Sequence, residues 1–243
     1  MTLALNVDSD ELTAWPGKER RYPDIGDSAY LMHRELTRSL EEARDNFLSP
    51  GARILDVGCG VQPYYPLFAG IASRYDGNDV EPGARITYVS GAESLPIPDA
   101  QYDLVLCTQV LEHVRHPQRA LLEMTRVLAP GGHLFLTTCG VYPFHPHPGD
   151  YWRWTQQGFE AMFEDTEGLE LVSLVPHGGY ASTIAILINT FIRDAARSAG
   201  VPRLSPFPIS IFNVLGMAVD RVLPERPKAA LIPNFLAVGR RAE

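Results

Sequence analysis

The feature that most constrains the fold is a short apolar run that leads directly into a glycine-rich turn. Residues 53–57 are ArgIleLeuAspVal, as expected for a buried strand, and glycine stands at positions 58 and 60. Glycine allows the backbone to turn tightly and to approach a ligand closely before a following helix begins. The pattern predicts the first strand of a parallel sheet with a ligand site at its carboxyl end.

Apolar runs alternate with amphipathic stretches along the rest of the chain, which is typical of strands and helices around a parallel sheet. Seven strands are predicted, at 53–57, 74–79, 86–89, 102–108, 133–138, 169–175 and 234–238. Helices are predicted at 28–47, 116–128 and 159–163. Two further apolar stretches, 181–192 and 207–223, are shorter than a membrane-spanning helix and are interpreted as a helical insert.

Charge is unevenly distributed along the 243 residues, whose formal net charge is −8. Residues 1–179 carry 13 basic and 25 acidic side chains, whereas residues 180–243 carry 8 basic and 4 acidic ones. Because binding to a phosphate backbone requires many cations, no nucleic-acid partner is expected. The apolar stretches within 181–223 suit a substrate lid, a homodimer contact or a peripheral membrane contact, and the three stay open. The basic residues near them are Arg193, Arg197, Arg203, Arg221, Arg226 and Lys228.

The composition and the amino-terminal sequence bear on the compartment. With 45% hydrophobic residues the chain has enough apolar material to fold, so a disordered chain is excluded. Three cysteines without CxxC spacing predict buried thiols rather than a disulfide framework or a cysteine-ligated metal. Acidic residues near the start do not match a secretory signal, and a cytoplasmic protein is expected.

A second acidic residue defines the class of ligand. Asp79 follows Gly60 by 19 positions at the end of the second strand, where a carboxylate can bind both hydroxyls of a ribose. The dinucleotide fingerprint has a third glycine where this chain has Pro63. Asp56 at the mouth of the turn disfavours a diphosphate and suits a positively charged nucleoside, such as S-adenosylmethionine. A nicotinamide oxidoreductase is therefore disfavoured, and a non-catalytic binding subunit is kept as an alternative.

Four motifs in order resemble those of class I S-adenosylmethionine-dependent methyltransferases of the type 11-like group. They are LeuAspValGlyCysGly (55–60), AlaGluSerLeuProIle (92–97), TyrAspLeuValLeuCysThrGlnValLeuGluHisVal (102–114) and LeuAlaProGlyGlyHisLeuPhe (128–135). The resemblance covers about residues 53–163. It implies a Rossmann-like α/β fold, with a seven-stranded sheet whose last strand is antiparallel and a helical insert between strands six and seven.

The resemblance also implies a division of the chain and a set of donor contacts. The division is an amino-terminal helical lid (1–50), an S-adenosylmethionine-binding core (51–179), a helical insert serving as lid or interface (180–230) and the final core strand (231–243). In the family, the turn glycines border the methionine portion, the acidic residue after the second strand holds the ribose, the Ala-Glu pair flanks the adenine, and the residue after the fourth strand faces the transferring methyl group. The implied cofactor-binding residues are Asp56, Gly58, Cys59, Gly60, Asp79, Ala92, Glu93 and Gln109.

An unusual cluster of histidine, acidic and aromatic residues, PheHisProHisProGlyAspTyrTrpArgTrpThr (144–155), follows the fifth strand. It resembles a family branch associated with bacterial glycan and natural-product pathways, which implies O-methylation of a small hydroxylated or carboxylated acceptor; nitrogen or carbon as the acceptor atom stays open. The expected substrate-binding residues are His145, Tyr151, Trp152 and Arg153, and the expected catalytic residues are His113, His147 and Asp150. An alternative is that Trp152, Arg153 and Thr155 only brace the loop and cap the next helix.

The string GlnValLeuGluHis (109–113) is similar to the Glu-x-x-Glu-His of ubiquinone-pathway and small-RNA O-methyltransferases, where the carboxylates and the histidine hold a divalent cation. Gln109 replaces the first carboxylate here, and a hard cation such as magnesium prefers carboxylate oxygen. The remaining ligand candidates are Glu112 and His113 with His147 or Asp150. A divalent metal is therefore not favoured. The other histidines, at 33, 116, 133 and 177, are expected at the surface or as satisfied core residues.

Overall fold

The computed structural model describes residues 9–225 and 229–243, which form a mixed α/β fold around one seven-stranded sheet. The strands are β1 (Ala52–Val57), β2 (Ala72–Asp79), β3 (Tyr88–Val89), β4 (Tyr102–Thr108), β5 (Leu128–Cys139), β6 (Leu169–His177) and β7 (Asn234–Arg241). Their order is β3-β2-β1-β4-β5-β7-β6, and β7 runs antiparallel to both of its neighbours. The predicted fold class, including the antiparallel last strand, is confirmed. Arg226 and Lys228, expected to add to the basic region, lie outside the described residues.

Helices cover both faces of this sheet. They are α1 (Ser9–Thr13), α2 (Lys18–Arg21), α3 (Tyr30–Phe47), α4 (Tyr65–Phe68), α5 (Pro117–Val127), α6 (Gln156–Glu164), α7 (Tyr180–Ser198) and α8 (Pro206–Val222). Short 3₁₀ turns lie at Leu111–His113 and Pro202–Leu204. One face of the sheet packs against α5 and α6 and the other against α3, because each of these helices turns an apolar stripe inward.

Two elements differ from the sequence prediction. The helix expected after the glycine turn is only the single turn of α4, which has Pro66 in its first turn, where proline is tolerated, and Gly70 two residues after its end. Strand β5 begins at Leu128 instead of 133: Leu128 pairs with Tyr102, and the regular pairing resumes at His133 after the unpaired residues 129–132. The pairing register shifts between Tyr102 and Leu104, where β4 meets this early part of β5.

The predicted insert between β6 and β7 consists of α7 and α8, which pack against each other as an antiparallel pair. Ala185 and Ile186 of α7 contact Leu31 and Met32 at the start of α3. The carboxylate of Asp220, near the end of α8, accepts the backbone N–H groups of the first turn of α7. Among the described helices, none combines the length and the apolar character that crossing a bilayer requires.

Candidate active site

The turn after β1 is shaped by two glycines with left-handed backbone conformations. Gly58 has φ 65°, and a Cβ placed on it would lie 2.4 Å from Cγ2 of Val110, at the end of β4. Gly60 has φ 52°, and a Cβ there would meet nothing within 4 Å. Gly58 is therefore needed for close packing, whereas Gly60 borders open space at the carboxyl edge of the sheet. The buried Cys59 between them donates its backbone N–H to the carbonyl of Asn78 in β2, 3.1 Å away.

Two carboxylates lie at this turn, in different surroundings. Oδ2 of Asp79 accepts the backbone N–H of Gly60 at 2.8 Å. Asp56 is buried, and its Oδ2 accepts the hydroxyl of Tyr75 at 2.9 Å, while its Oδ1 has no hydrogen-bond partner among the described residues. The pKa of Asp56 is raised from 3.8 to about 7, chiefly by burial; the Tyr75 hydrogen bond opposes this rise and the charge of Asp79 contributes to it. An unpartnered buried carboxylate oxygen beside a second acid suits a positively charged ligand.

The amino-terminal segment packs directly on the glycine turn. The indole N–H of Trp15 donates to the carbonyl of Gln62 at 2.9 Å. The buried guanidinium of Arg21 donates to the carbonyls of Pro63 and Trp15. The segment thus holds one side of the turn in place.

The loop after β3 carries the two residues expected to flank the adenine. Ala92 is buried, and the carboxylate of Glu93 accepts the backbone N–H of His116 at 2.7 Å, immediately before α5. At the start of this loop the amide of Asn78 donates to Oγ of Ser90 at 2.9 Å. These bonds fix the loop between the end of β2 and the start of α5.

Gln109 joins three strand ends. Its side-chain amide donates to Oγ1 of Thr137 at 3.0 Å and to Oδ1 of Asn234 at 2.9 Å, and its own φ is 56°. Asn234 in turn donates to Nδ1 of the buried His177, whose Nε2 lies 2.9 Å from Oγ of Ser39 in α3. His177 is thus a satisfied core histidine, as expected, and burial lowers its pKa to about 3. The side chain of Gln109 is held by the sheet, and its role toward the donor stays a prediction.

The loop after β5 is held by an ion pair between Asp150, predicted as a catalytic residue, and Arg153, predicted as a substrate contact or as a brace of the loop. Oδ1 of Asp150 lies 2.5 Å from the guanidinium of Arg153, which also donates to the carbonyls of Tyr142 and Pro143. The hydrogen bond from Arg153 lowers the pKa of Asp150 to about 2. Asp150 also accepts the backbone N–H of His145 at 2.8 Å. Both residues therefore hold the loop in shape.

A carboxylate and two imidazoles converge where this loop meets the 3₁₀ turn after β4. One ligand-type atom each of Glu112, His113 and His145 lies within 4.8 Å of the others. Glu112 is fully buried, and its two oxygens accept the hydroxyl of Thr138 at 2.9 Å and the thiol of Cys139 at 3.3 Å. Burial raises the pKa of Cys139 well above its usual value, so this thiol stays a donor.

The other residues expected to bind the acceptor lie around this cluster. His147 is exposed, and its backbone N–H donates to the carbonyl of Gly149. Tyr151 is exposed, and Trp152 is partly exposed with its indole N–H bound to the carbonyl of Val114. Thr155 caps α6 by accepting the N–H of Gly158, as the bracing alternative predicts. The contact between His145 and Glu112 was not predicted, because His145 and His147 lie two residues apart in one loop and the sequence does not show which of them faces Glu112.

The residues at the glycine turn fit S-adenosylmethionine. The open space beside Gly60, the unpartnered oxygen of Asp56 and the remaining acceptor positions of Asp79 match a nucleoside that carries positive charge and no phosphate. The sheet order, the antiparallel β7 and this turn together define the class I S-adenosylmethionine-dependent methyltransferase fold.

Comparisons with known proteins agree with this class. A family model described as a methyltransferase domain matches residues 29–171, and the chain belongs to that family of S-adenosylmethionine-dependent enzymes. It is 30% identical to the ubiquinone biosynthesis O-methyltransferase of Aliivibrio fischeri over 90% of this chain and 96% of that protein. It is 29% identical to the protein of the same name from Vibrio cholerae, where the match spans 57% of this chain and 63% of the relative.

Two solved structures share the fold. The [4+2]-cyclase SpnF has a TM-score of 0.57 and 22% identity, covering 87% of this chain and 82% of its own. Phosphoethanolamine N-methyltransferase 2 of Haemonchus contortus, in complex with S-adenosyl-L-methionine, has a TM-score of 0.52 and 15% identity, covering 98% of this chain and 61% of its own. Because proteins named for different reactions share the fold, the acceptor has to be argued from the site.

Proposed function

We propose that this enzyme methylates an oxygen atom of a small hydroxylated acceptor that binds over Glu112, His113 and His145. The observation that carries the proposal is the convergence of these three side chains within 4.8 Å at the carboxyl edge of the sheet. Val110, which packs against Gly58, lies only two residues before Glu112, so the cluster adjoins the donor turn along the chain. The relatives named as O-methyltransferases support oxygen as the acceptor atom.

The hydrogen bonds of the two histidines assign their protons. Nδ1 of His113 lies 2.5 Å from the carbonyl of Gly149, and Nδ1 of His145 lies 2.9 Å from the carbonyl of Pro143. A carbonyl oxygen only accepts, so Nδ1 of His113 carries the hydrogen and its Nε2 keeps the lone pair. Nδ1 of His145 also lies 3.3 Å from Nη2 of Arg153, which only donates, and we assign its hydrogen to Nδ1 because the contact with the carbonyl is the shorter one. Nε2 of His145 is 3.9 Å from a carboxylate oxygen of Glu112.

This arrangement suits removal of a proton from an acceptor hydroxyl. S-adenosylmethionine supplies an electrophilic methyl group on a sulfonium, and the protein's task is to position the oxygen and take its proton. His145 can accept the proton at Nε2, and the buried carboxylate of Glu112 stabilises the imidazolium that forms. The partly exposed ring of Trp152 offers a face on which a sugar or aromatic acceptor can stack, in keeping with a glycan or natural-product substrate.

The same three side chains could instead bind a divalent cation, which is the second candidate role for this cluster. One carboxylate and two imidazoles suit a transition metal better than magnesium. Both oxygens of Glu112 already accept protein hydrogen bonds, and Gln109 is bonded to the sheet instead of completing the set. These bonds favour the proton-transfer role over the metal role.

The experiment supplies labelled S-adenosylmethionine with small hydroxylated compounds or an extract and identifies the labelled product by mass spectrometry. His145→Ala is expected to slow methyl transfer by at least about 100-fold, which is the lower range for a general base, with donor affinity by calorimetry unchanged. His116→Ala, at an exposed histidine outside the cluster, is the matched control.

Three outcomes discriminate between the assignments. Normal turnover of His145→Ala together with slow turnover of His147→Ala returns the base to His147, as the sequence alone suggests. Loss of activity with a chelator, restored by one cation, assigns the cluster to a metal. A labelled product carrying the methyl group on nitrogen or carbon overturns O-methylation.

A further inference from the structure

Tyr75 in β2 holds the buried carboxylate of Asp56 in β1. Its hydroxyl donates to Oδ2 of Asp56 at 2.9 Å, across the parallel pairing of the two strands. The other oxygen, Oδ1, is buried and has no partner among the described residues. The carboxylate therefore depends on one phenol for its hydrogen bonding within the described part of the chain.

The ring of Tyr75 is fixed by aromatic contacts that begin in the amino-terminal segment. It meets the ring of Tyr65 edge to face, with the centroids 5.0 Å apart and the planes at 88°. Tyr65 in turn stacks on Trp15, with centroids 4.4 Å apart. Trp15 is anchored to the glycine turn by its bond to the carbonyl of Gln62. Packing thus directs the hydroxyl of Tyr75 toward Asp56.

The hydrogen bond from Tyr75 favours the ionised form of Asp56. Burial raises the pKa of Asp56 to about 7 against this hydrogen bond, while the charge of Asp79 contributes to the rise and that of Arg20 opposes it. Both forms of the carboxyl are therefore present near neutral pH. Because the balance is close, the loss of one hydrogen bond is enough to change it.

The other groups around Asp56 make its charge decisive for the turn. Burial raises the pKa of the neighbouring thiols and phenols, so they are neutral near pH 7. With Asp56 ionised, the described groups carry two negative charges against one positive charge, and with Asp56 protonated they balance. The titratable and charged groups that face Asp56 are Tyr75 and Asp79 of β2, Arg20 of α2, Cys107 of β4, and Cys59 and Tyr64 after β1.

We infer that Tyr75 is a positioning residue for the donor: by holding the ionised carboxylate of Asp56, it makes the turn prefer S-adenosylmethionine, whose sulfur is cationic, to the product S-adenosylhomocysteine, whose sulfur is neutral. The two ligands share the nucleoside and the amino acid, so contacts with those parts contribute to both affinities. The ratio of the affinities therefore reports the charge of Asp56. Because methyl transfer removes the charge on sulfur, the same preference favours departure of the product.

The test is calorimetry of both ligands between pH 6 and pH 8.5, and the measured quantity is the ratio of their affinities. Taking the ionised carboxylate to strengthen binding of the cationic donor about 10-fold, we expect the wild-type ratio to rise about 5-fold over this range. Tyr75→Phe keeps the ring and removes the hydroxyl, which is expected to shift the rise upward by about one pH unit. The ratio should then fall about 3-fold at pH 7 and less than about 1.5-fold at pH 8.5.

Two comparisons separate positioning from a purely structural role. In Asp56→Asn the rise is expected to disappear, and any pH dependence that remains belongs to other groups, including those of the ligands. Adding Tyr75→Phe to Asp56→Asn should leave the ratio unchanged, because the charge on which Tyr75 acts is gone. Tyr102→Phe is the matched control, since it removes a buried tyrosine hydroxyl from another carboxylate, that of Asp76 at 2.6 Å, and should keep the wild-type profile.

A wild-type ratio with the same pH dependence as that of Asp56→Asn overturns the inference. An unshifted profile in Tyr75→Phe, or an equal effect of this change with and without Asp56→Asn, overturns the positioning role. Trp15→Leu, which removes the ring that supports Tyr65, is the second variant if Tyr75→Phe does not fold, and an unshifted profile there has the same meaning. Methyl transfer is not part of the readout, so this result stands apart from that of the proposed function.

Discussion

Asp56→Asn removes a buried charge from the donor turn and keeps the size of the side chain. Asp56 is 1% exposed, and burial raises its pKa from 3.8 to about 7. Each unit of pKa difference corresponds to about 1.4 kcal/mol between the two protonation states. Above pH 7 the ionised carboxylate therefore lowers the stability of the protein by up to about 4 kcal/mol, and we expect Asp56→Asn to raise the free energy of unfolding by about 1–4 kcal/mol there.

The sign of the pH dependence follows from which state holds the proton. The unfolded carboxyl ionises near pH 3.8, whereas the folded carboxyl keeps its proton up to about pH 7. Between these values the unfolded state binds fewer protons, so this group makes the wild type less stable as the pH rises. The advantage of Asp56→Asn is expected to be small near pH 4 and to grow by about 2–3 kcal/mol from pH 5 to pH 8.

Urea unfolding of both proteins at pH 5 and pH 8 measures this difference, and calorimetry with S-adenosylmethionine measures the functional cost. At pH 8, where the Asp56 carboxyl is ionised, we expect donor binding to weaken at least about 10-fold, because the cationic ligand loses an anionic neighbour. Asp99→Asn, at an exposed carboxylate, is the control and should change neither quantity. A stability difference that is the same at both pH values, or an undiminished donor affinity, would refute the reasoning.

Two further substitutions test the same turn. Gly58→Ala is expected to lower the free energy of unfolding by about 1–3 kcal/mol. The reasons are that φ of Gly58 is 65° and that the added Cβ would lie 2.4 Å from Cγ2 of Val110. A urea titration that gives the unfolding free energy of the wild type would contradict this. Asp79→Ala is expected to weaken S-adenosylmethionine binding at least about 10-fold with little change in melting temperature; calorimetry showing unchanged affinity would remove Asp79 from the ribose contact.

The positions of the residues expected to bind the donor could be predicted because they depend on local sequence. Asp56, the turn glycines and Asp79 follow strands whose apolar runs mark them clearly, and parallel strands bring their carboxyl ends to one edge. A helix was also expected after the glycine turn, but its length of a single turn was not predicted.

The acceptor half could not be predicted at the same level because it depends on the path of a loop. Residues 145 and 147 are both histidines beside prolines, and only the fold shows that His145 reaches Glu112 while His147 faces solvent. The partner of Gln109 was equally hidden, since Asn234 is 125 positions away in sequence. Contacts of this kind are set by tertiary packing, which composition and spacing do not encode.

The position of β7 has a consequence for how this enzyme can change. His177 and Asn234 are register partners at adjacent strand ends, so the chain leaves the sheet after His177 and re-enters it at almost the same point. Lengthening this connection costs little additional closure entropy, because that cost grows only with the logarithm of the loop length. The chain can therefore exchange α7 and α8 for another segment while β1 and β2, which carry the glycine turn and Asp79, keep their geometry.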